Sequence, residues 1–394
     1  MAYPSVRLHP KRDMRLRLGH PWVYSNELVM DAGAKALAPG SVVLLAAANG
    51  DPLGLAWFNP HTLIAARMLT RDAKEDIGQS FFETRLSVAL ALRQRLYDAP
   101  YYRLVHAEAD GLPATVVDRM GDVLVVQLNA AGPNGAADDI LAALSALLKP
   151  RAILLKNDSP ARSLEGLPLE TRLAAGAFDQ PVDLVENGVR FRIHPLEGQK
   201  TGWFYDQRDN RAFVARLAAG AKVLDAYCYG GGFGIACAAG GAASVLMLDR
   251  STGALETAAE AAALNALTDR CATRQGDVFE TLAAMRDAGD HFDIVIVDPP
   301  AFAKSRKDVP AALRGYRKLA RLAAKLVSPG GMLFAASCSH NVETGPFEEA
   351  VARGLADAGR AGRILRQAGA GPDHPIHPML PESAYLKSLT LALD

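Results

Sequence analysis

Three acidic residues in the second half of the chain come at or just after the ends of predicted strands. Asp249 and Asp298 close two apolar strands, and Asp277 follows a third strand, Cys271–Gln275. The segments alternate with helical stretches, which predicts a parallel sheet whose strands end at one edge. Carboxylates at that edge can accept hydrogen bonds from ribose hydroxyls or from an adenine amino group. Each acid alone is typical of a surface or capping residue, but together they predict a nucleoside-binding crevice.

A glycine-rich turn, Asp225–Gly234, lies between another apolar segment and a helix. Glycines at a strand-to-helix turn allow a ligand to approach the backbone closely. The G-x-G-x-x-G spacing of dinucleotide sites is not met, because counting from Gly230 places Ile235 at the last position. The sequence therefore disfavours a pyrophosphate cradle and a nicotinamide dehydrogenase. A turn that binds no ligand is the simpler alternative.

Cys338 directly follows the predicted fifth strand, at the same edge of the sheet. Most cysteines are buried core residues, and we interpret the other three in this way. The strand-end position of Cys338, facing Asp298 across the crevice, favours a nucleophile. His340 is two residues away and is able to lower the pKa of the thiol, although a histidine satisfied elsewhere is an equal alternative. No cysteine belongs to a CxxC pair, so no metal site is expected.

Charge is segregated along a chain whose 43 basic and 43 acidic residues cancel. This sum excludes a uniformly basic protein. Residues 1–20 nevertheless carry five basic residues and one acid, and residues 301–330 carry eight and one. One-signed runs of this kind favour phosphate contacts, so they predict two patches that face the phosphates of a nucleic acid. The stretch 223–298 has the opposite excess, with eleven acids against four arginines.

The elements that must position these residues fall into three regions of the 394-residue chain. Residues 1–75 have the pattern of short strands with turns, residues 76–185 mix helices with short strands, and residues 186–394 alternate strands and helices. The third pattern predicts a doubly wound α/β domain. The sequence has no apolar run of roughly 20 residues and no recognisable signal peptide, so a cytoplasmic protein without a membrane partner is expected.

The chain resembles the bacterial 23S rRNA (cytosine-C5) methyltransferase family of the RlmI type, within the class I S-adenosylmethionine-dependent methyltransferases. The segments that carry this resemblance are Gly19–Val23, Ala107–Pro113, Lys200–Arg208, Asp225–Gly234, Asp298–Phe302, Ser337–His340, Asp373–Pro378 and Tyr385–Lys387. The resemblance implies a β-rich PUA-like RNA-binding domain at 1–75, a small α+β central domain at 76–185 and a Rossmann-like methyltransferase domain at 186–394. The last should have seven strands, one of them antiparallel near the C-terminal end.

The resemblance also implies S-adenosylmethionine as cofactor and RNA, specifically 23S rRNA, as substrate. The cofactor would be bound by Lys200, Thr201, Tyr205, Asp225, Tyr229, Gly231, Asp249, Asp277 and Asp298. Within this set, Asp249 would bind the ribose and Asp277 the adenine, and the acidic stretch suits a sulfonium cation. RNA would be contacted by Arg12, Arg15, His20, Trp22, Phe302, Lys304, Arg314 and Arg317. A homodimer stays open.

The chemistry implied by the resemblance is a covalent one, in which the thiolate of Cys338 adds to C6 of cytosine and Asp298 assists at N3. Related enzymes have a second cysteine where this chain has Ala301, so the base that removes the C5 proton is not identified. The family commonly has a threonine at the position of Gly230. Two alternatives remain: methylation of another base or an amino nitrogen, and an RNA-binding protein with a silent methyltransferase domain.

Overall fold

The computed structural model describes residues 3–179, 181–196 and 201–394. These residues form nineteen strands and twelve α-helices, joined by short 3-10 helices and loops. Across the same ranges, no helix combines the length and the apolar character needed to cross a membrane. The chain divides into two compact units, and the first of them comprises Met1–Val182, His194–Trp203 and Pro372–Ser383.

An N-terminal sheet in the first unit has the strand order β1-β3-β4-β5-β2. Its strands are β1 (Ser5–Arg7), β2 (Trp22–Tyr24), β3 (Ser41–Ala46), β4 (Pro52–Phe58) and β5 (Ile64–Thr70), and the short helices α1 (Met14–Arg17) and α2 (Ala32–Lys35) accompany them. The turn that contains Asn49-Gly50 joins β3 to β4 in an antiparallel pair. Apolar side chains from the strands and from α1 form a small core of their own.

A second sheet of the first unit has the order β10-β9-β8-β7-β6. Its strands are β6 (Tyr101–His106), β7 (Thr115–Met120), β8 (Val123–Leu128), β9 (Ala152–Asn157) and β10 (Glu170–Gly176), and its helices are α3 (Gln79–Leu96), α4 (Ala131–Gly135), α5 (Ala137–Leu148) and α6 (Ala161–Leu164). The β8–β9 pair is parallel, and the crossover it requires is supplied by α4 and α5. Helices α3 and α5 bury their apolar residues against this sheet.

A hairpin precedes the second large α/β region of the chain. It pairs β11 (Val182–Glu186) with β12 (Val189–Ile193) across Asn187-Gly188. Both turn residues have positive φ, 52° and 80°, as the asparagine–glycine pair predicts for a two-residue hairpin turn. The second unit comprises Asp183–Ile193, Phe204–Gly371 and Ala384–Asp394.

Seven strands of the second unit form one sheet with the order β15-β14-β13-β16-β17-β19-β18. The strands are β13 (Lys222–Ala226), β14 (Ser244–Asp249), β15 (Cys271–Gln275), β16 (Phe292–Val297), β17 (Val327–Ser337), β18 (Gly362–Ala368) and β19 (Lys387–Leu393). Strand β19 runs antiparallel to both of its neighbours, which confirms the expected antiparallel strand near the C-terminus. The α/β fold class predicted from the sequence is therefore correct, whereas the domain boundaries at residues 75 and 185 stay predictions.

The helices of this region connect the parallel strands and cover the sheet. They are α7 (Arg208–Ala215), α8 (Gly232–Ala239), α9 (Thr252–Leu264), α10 (Val278–Asp287), α11 (Val309–Leu326) and α12 (Thr344–Asp357). Apolar residues of α10, α11 and α12 pack with the central strands in one large core. The strand order reverses between β13 and β16, and ligands of open α/β sheets bind at such a switch point, beyond the carboxyl ends of the strands.

Candidate active site

The turn that follows β13 is built on the buried carboxylate of Asp225. This side chain is 1% exposed, and its Oδ2 accepts a hydrogen bond of 2.7 Å from the backbone N–H of Gly234. The bond ties the end of β13 to the first turn of α8. Burial, assisted by the charges of Asp298 and Asp249, raises the pKa of Asp225 to about 7, although the Gly234 bond opposes the shift.

Tyr227 and Tyr229 in this turn adopt a left-handed backbone, with φ of 62° and 48°. That conformation costs about 1 kcal/mol or more in a residue with a Cβ, so the surrounding structure must impose it. The N–H of Tyr229 donates to Asp249 Oδ2 at 3.1 Å. Gly231 has φ of 80°, and a Cβ there would come within 3.0 Å of Met247 Sδ. The turn is therefore held in one shape and is linked to the acid at the end of β14.

Asp249 and Asp277 both act on the hydroxyl of Tyr227 through their charges. Asp249 accepts a second backbone bond, from Ser251 N at 2.9 Å, which orients its carboxylate at the strand end. Asp277 is exposed and caps α10 by accepting from Glu280 N at 3.1 Å. Burial, together with the charges of both acids, raises the pKa of the Tyr227 hydroxyl. The structure thus brings the two predicted acids to one place, beside a tyrosine that sequence reasoning did not single out.

Asp298 follows β16 and is held by a side-chain amide. Gln207 Nε2 donates to Asp298 Oδ2 at 2.9 Å, and Asn210 Nδ2 donates to Gln207 Oε1 at 2.7 Å. Asn210 Nδ2 also contacts Gly369 O at 3.3 Å. Gln207 and Asn210 are both buried, so the chain of hydrogen bonds fixes the direction of each amide. Neither residue was identified from the sequence, although Gln207 lies within the Lys200–Arg208 segment that carries the resemblance.

Cys338 lies where β17 ends, beside the loop that carries Asp298. The residue is half-buried, and its Sγ is 3.9 Å from Pro299 O. The thiol and the Asp298 loop are therefore neighbours, as the sequence predicted. His340, the alternative modulator of the thiol, stacks on the ring of Tyr385 with centroids 4.9 Å apart.

The two serines that flank Cys338 are joined by one buried hydroxyl. Ser337 Oγ donates to Tyr316 Oη at 2.8 Å, and Tyr316 Oη lies 2.9 Å from Ser339 Oγ. Ser339 Oγ also accepts from the N–H of Ala303, in the loop that follows β16, at 3.3 Å. This network connects the Cys338 segment to the Asp298 loop through side chains that are almost completely buried.

The remaining residues predicted to bind the cofactor lie just before α7. Tyr205 is buried at the start of a short 3-10 helix, and the guanidinium of Arg208 lies 5.3 Å from its ring centre. Thr201 is also buried, with its hydroxyl 3.5 Å from Trp203 O. Lys200 lies outside the described residues.

The N-terminal residues predicted to contact RNA lie in and next to α1 and β2. Arg12 is exposed and lines a groove of about 340 Å³, together with Arg15. Arg15 forms an ion pair of 2.9 Å with Glu27. Nδ1 of His20 accepts from Trp22 N at 3.0 Å.

The indole of Trp22 is fixed by an acid from the 3-10 helix Ala107–Asp110, which follows β6. Trp22 Nε1 donates to Glu108 Oε1 at 2.7 Å, and Arg67 donates to the same oxygen at 2.8 Å. The guanidinium of Arg67 also lies 5.4 Å from the centre of the Trp22 ring. Glu108 was not predictable as a partner from the sequence, because it lies 86 residues further along the chain.

The second predicted RNA-facing patch follows β16 and continues along α11. Phe302 is half-buried and stacks on Tyr316 with centroids 4.7 Å apart, whereas Lys304 and Arg314 are exposed. Arg317 forms a two-bond ion pair with Asp357 of α12, at 2.6 and 2.7 Å. One of the four residues predicted here therefore already has an acidic partner.

Comparison with known proteins finds a matching family model for each of two parts of the chain. The family model described as S-adenosylmethionine-dependent methyltransferase matches residues 151–365. The model of a PUA-like domain matches residues 6–71. The β-rich N-terminal domain and the Rossmann-like methyltransferase domain are thus the ones that the sequence predicted.

Relatives match over nearly the whole chain. Ribosomal RNA large subunit methyltransferase I from Shewanella denitrificans is 38% identical over 389 residues, which is 98% of each chain. The protein of the same name from Shewanella amazonensis is also 38% identical over 98% of each chain. A methyltransferase structure in complex with SAH, SMU.776, superimposes with a TM-score of 0.84 at 21% identity and covers 100% of both chains, which shows the same fold.

The donor set beyond β13, β14 and β15 fits S-adenosylmethionine. Asp249 is an oriented carboxylate at the strand end, Asp277 lies beside Tyr227, and Gly231 keeps the turn free of a Cβ. A crevice with this many acids suits a ligand that carries a positive sulfonium and an amino group. The cofactor predicted from the sequence is therefore correct. The matching family model, the relatives and this geometry agree that the chain belongs to the family of ribosomal RNA large subunit methyltransferase I, within the S-adenosylmethionine-dependent methyltransferases.

Proposed function

We propose that this protein methylates C5 of a cytidine in RNA, specifically in large-subunit rRNA. The relatives are named for methylation of large-subunit ribosomal RNA, and the match at residues 6–71 adds a PUA-like domain. Three domains with the boundaries expected from the sequence, at residues 75 and 185, belong to the same proposal. The RNA would contact the basic residues of the N-terminal patch and of α11 through its phosphates.

The proximity of Cys338 to the Asp298 loop is the observation that favours C5 of cytosine as the methylated atom. C5 of cytosine is a weak nucleophile, so an enzyme must first raise its electron density. The thiol is 3.9 Å from Pro299 O and so lies beside the loop that carries Asp298, the acid that this chemistry requires. Methylation of an amino nitrogen needs no thiol at this position, and so the arrangement favours carbon methylation.

The thiolate of Cys338 would add to C6, forming an S–C6 bond as the C5–C6 double bond opens toward C5. Asp298, after taking up a proton, would assist the addition by donating a hydrogen bond to N3. S-adenosylmethionine, when bound, supplies the methyl group that C5 takes up. Loss of the C5 proton to a base or water then restores the double bond, the S–C6 bond breaks and the Cys338 thiolate is released.

Residues at the strand ends would hold the cofactor in position. We assign its methionine end to Asp225, Tyr229 and Gly231, its ribose to Asp249 and its adenine to Asp277. Thr201, Tyr205, Asp298 and the undescribed Lys200 complete the proposed set. Asp225 carries a raised pKa, so its charged form gains from a bound cation.

The variant Cys338→Ala tests the proposal, because it removes the thiol from a half-buried position. We expect 5-methylcytidine formation in rRNA to be abolished, as measured by nucleoside analysis, while S-adenosylhomocysteine binding measured by calorimetry persists. Cys271→Ala is the matched control and should retain activity, since Cys271 begins the edge strand β15, which three strands separate from β17. Wild-type levels of 5-methylcytidine from Cys338→Ala would rule out the covalent route.

RNA that contains 5-fluorocytidine provides an independent test, because fluorine at C5 prevents the loss of a proton that releases the enzyme. A covalent adduct should accumulate at Cys338 and should be absent from Cys338→Ala. An adduct at another residue would reassign the nucleophile. A different methylated nucleoside in the product would favour an alternative base or an amino nitrogen, and no methylation with intact cofactor binding would favour a silent domain.

A further inference from the structure

Lys387 is a buried lysine at the start of β19. The residue is only 6% exposed, and its Nζ donates to two backbone carbonyls, Ser339 O and Val342 O, each at 2.7 Å. Among the residues that the structure describes, no carboxylate forms an ion pair with this ammonium. A buried cation that is balanced by carbonyl dipoles alone is costly, so its retention calls for a function.

The position of Lys387 relates it directly to Cys338. In the antiparallel β17–β19 pair, Lys387 lies opposite Ser337, the residue before the cysteine. The two carbonyls that it binds belong to the segment after the cysteine. The ammonium thus anchors the backbone that carries the thiol. Burial lowers the pKa of Lys387 to about 8, while the negative charge of Cys338 acts in the opposite direction, so the two groups interact.

We propose that Lys387 is a positioning residue that holds the Cys338 segment at the strand end and stabilises its thiolate by charge. This inference rests on the proposed role of Cys338 as nucleophile. A thiolate is favoured over a thiol by a nearby cation, and the gain is larger in a buried, weakly screened setting. The hydrogen bonds to Ser339 O and Val342 O keep that cation in place.

Other titratable groups surround the cysteine on the neighbouring elements. Tyr316 of α11 is buried, which raises its pKa, so it contributes no charge at neutral pH. Asp298, after β16, brings a negative charge that disfavours a second anion. His340, in the same segment as the cysteine, stacks on Tyr385. Lys387 supplies positive charge below a pH of about 8 and loses it as the pH rises further.

The experiment measures the rate at which iodoacetamide alkylates Cys338 in the full-length protein, by peptide mass spectrometry between pH 5.5 and 9.5. The other three cysteines are internal references, because burial raises the pKa of each and that of Cys271 to about 11. The wild-type midpoint should lie below the ordinary thiol value of about 8.5. Lys387→Gln keeps a hydrogen-bond donor without the charge, and Lys387→Arg keeps the charge.

Lys387→Gln should move the midpoint upward by about one pH unit and slow alkylation at pH 7 about tenfold, whereas Lys387→Arg should restore most of the wild-type profile. A wild-type midpoint at or above the ordinary value overturns the inference, as does an unchanged profile in Lys387→Gln. If Lys387→Gln loses S-adenosylhomocysteine binding and so its fold, the wild-type and Lys387→Arg profiles decide. An active Cys338→Ala variant would instead refute the proposed function. The alkylation profile is measured without methylation, so the two outcomes can be told apart.

Discussion

Gln207 donates its side-chain amide to the carboxylate of Asp298, with Nε2 2.9 Å from Oδ2. Asn210 donates to the oxygen of the same amide, so the Gln207 nitrogen must face the acid. A carboxylate can accept a hydrogen bond only from the nitrogen end of an amide. A charge-assisted bond of this kind is roughly twice as strong as a neutral one. The proposed contact of Asp298 with cytosine N3 therefore depends on a residue that itself need not touch the base.

Gln207→Glu should place a second carboxylate against Asp298 with almost no change of shape. Repulsion between the two acids should lower the methylation rate at pH 7.5 by about 10- to 100-fold, or roughly 1.4–2.8 kcal/mol of transition-state stabilisation. Activity should recover in part as the pH falls, because a protonated glutamate is again a donor. The measurement is methylation rate against pH, with S-adenosylhomocysteine affinity as the check on folding. A profile parallel to that of the wild type would show that the amide has no such role.

Tyr316→Phe should separate the hydroxyl network from the packing around it. The ring contacts to Phe302 and Phe347, with centroids 4.7 and 5.2 Å apart, are kept, whereas the bonds to both serines are lost. We expect a loss of about 1–3 kcal/mol in stability, from buried hydroxyls left without a partner, and slower alkylation of Cys338 with cofactor affinity unchanged.

The matched control for Tyr316→Phe is Tyr102→Phe. Tyr102 is also buried, and its hydroxyl accepts a bond of 3.1 Å from Arg119 in the first unit. This variant should lower the stability without altering the alkylation rate of Cys338. Equal alkylation rates in the two variants would mean that the serine–tyrosine network does not position the thiol.

The sequence allowed prediction of the residues whose place follows from a strand end. Asp249, Asp298 and Cys338 each stand at or directly after the end of a strand that apolar composition identifies, and parallel strands end at one edge. The residues that hold them were not predictable in this way. Lys387 meets the Cys338 segment only through the antiparallel register of β19, and Gln207 meets Asp298 across 91 positions. Such partners depend on tertiary packing, which leaves no local pattern.

The backbone conformation of the turn after β13 was also not predictable from the sequence. Glycines predicted a close approach there, but the left-handed residues include Tyr227 and Tyr229, whose types disfavour that conformation. The hydrogen bond from Tyr229 to Asp249 supplies part of the compensation. Local propensity therefore fails at the very turn that the cofactor is proposed to contact, as strained sites often do.

Asp225→Asn should flatten the pH dependence of stability. The pKa of Asp225 is raised from 3.8 to about 7 in the folded protein, so between these values the folded state holds more protons than the unfolded state. Stability therefore falls as the pH rises through this window, with a slope of at most about 1.4 kcal/mol per pH unit. Asparagine keeps an acceptor for Gly234 N and has no proton to lose.

The measurement for Asp225→Asn is the melting temperature Tm of the wild type and the variant at pH 5, 6, 7 and 8. The difference in Tm between the two proteins should favour the variant increasingly from pH 5 to pH 7 and should level off by pH 8. Asp277→Asn serves as the control, because Asp277 is exposed. Parallel Tm curves for Asp225→Asn and the wild type would contradict a raised pKa for the buried acid.

Asp357→Asn should strengthen RNA binding, since it releases Arg317 from the ion pair that occupies its guanidinium. Each cation that contacts a phosphate contributes about 0.9 to the slope of log affinity against log salt for a duplex, and about 0.7 for a single strand. Arg314→Ala, at an exposed position on the same helix, should lower that slope by nearly one. Arg317→Ala should lower it less, because the wild-type residue is shared with Asp357. Filter-binding titrations of rRNA fragments between 50 and 300 mM salt measure the three slopes. An affinity unchanged in Asp357→Asn, together with a wild-type slope in Arg314→Ala, would remove α11 from the RNA interface.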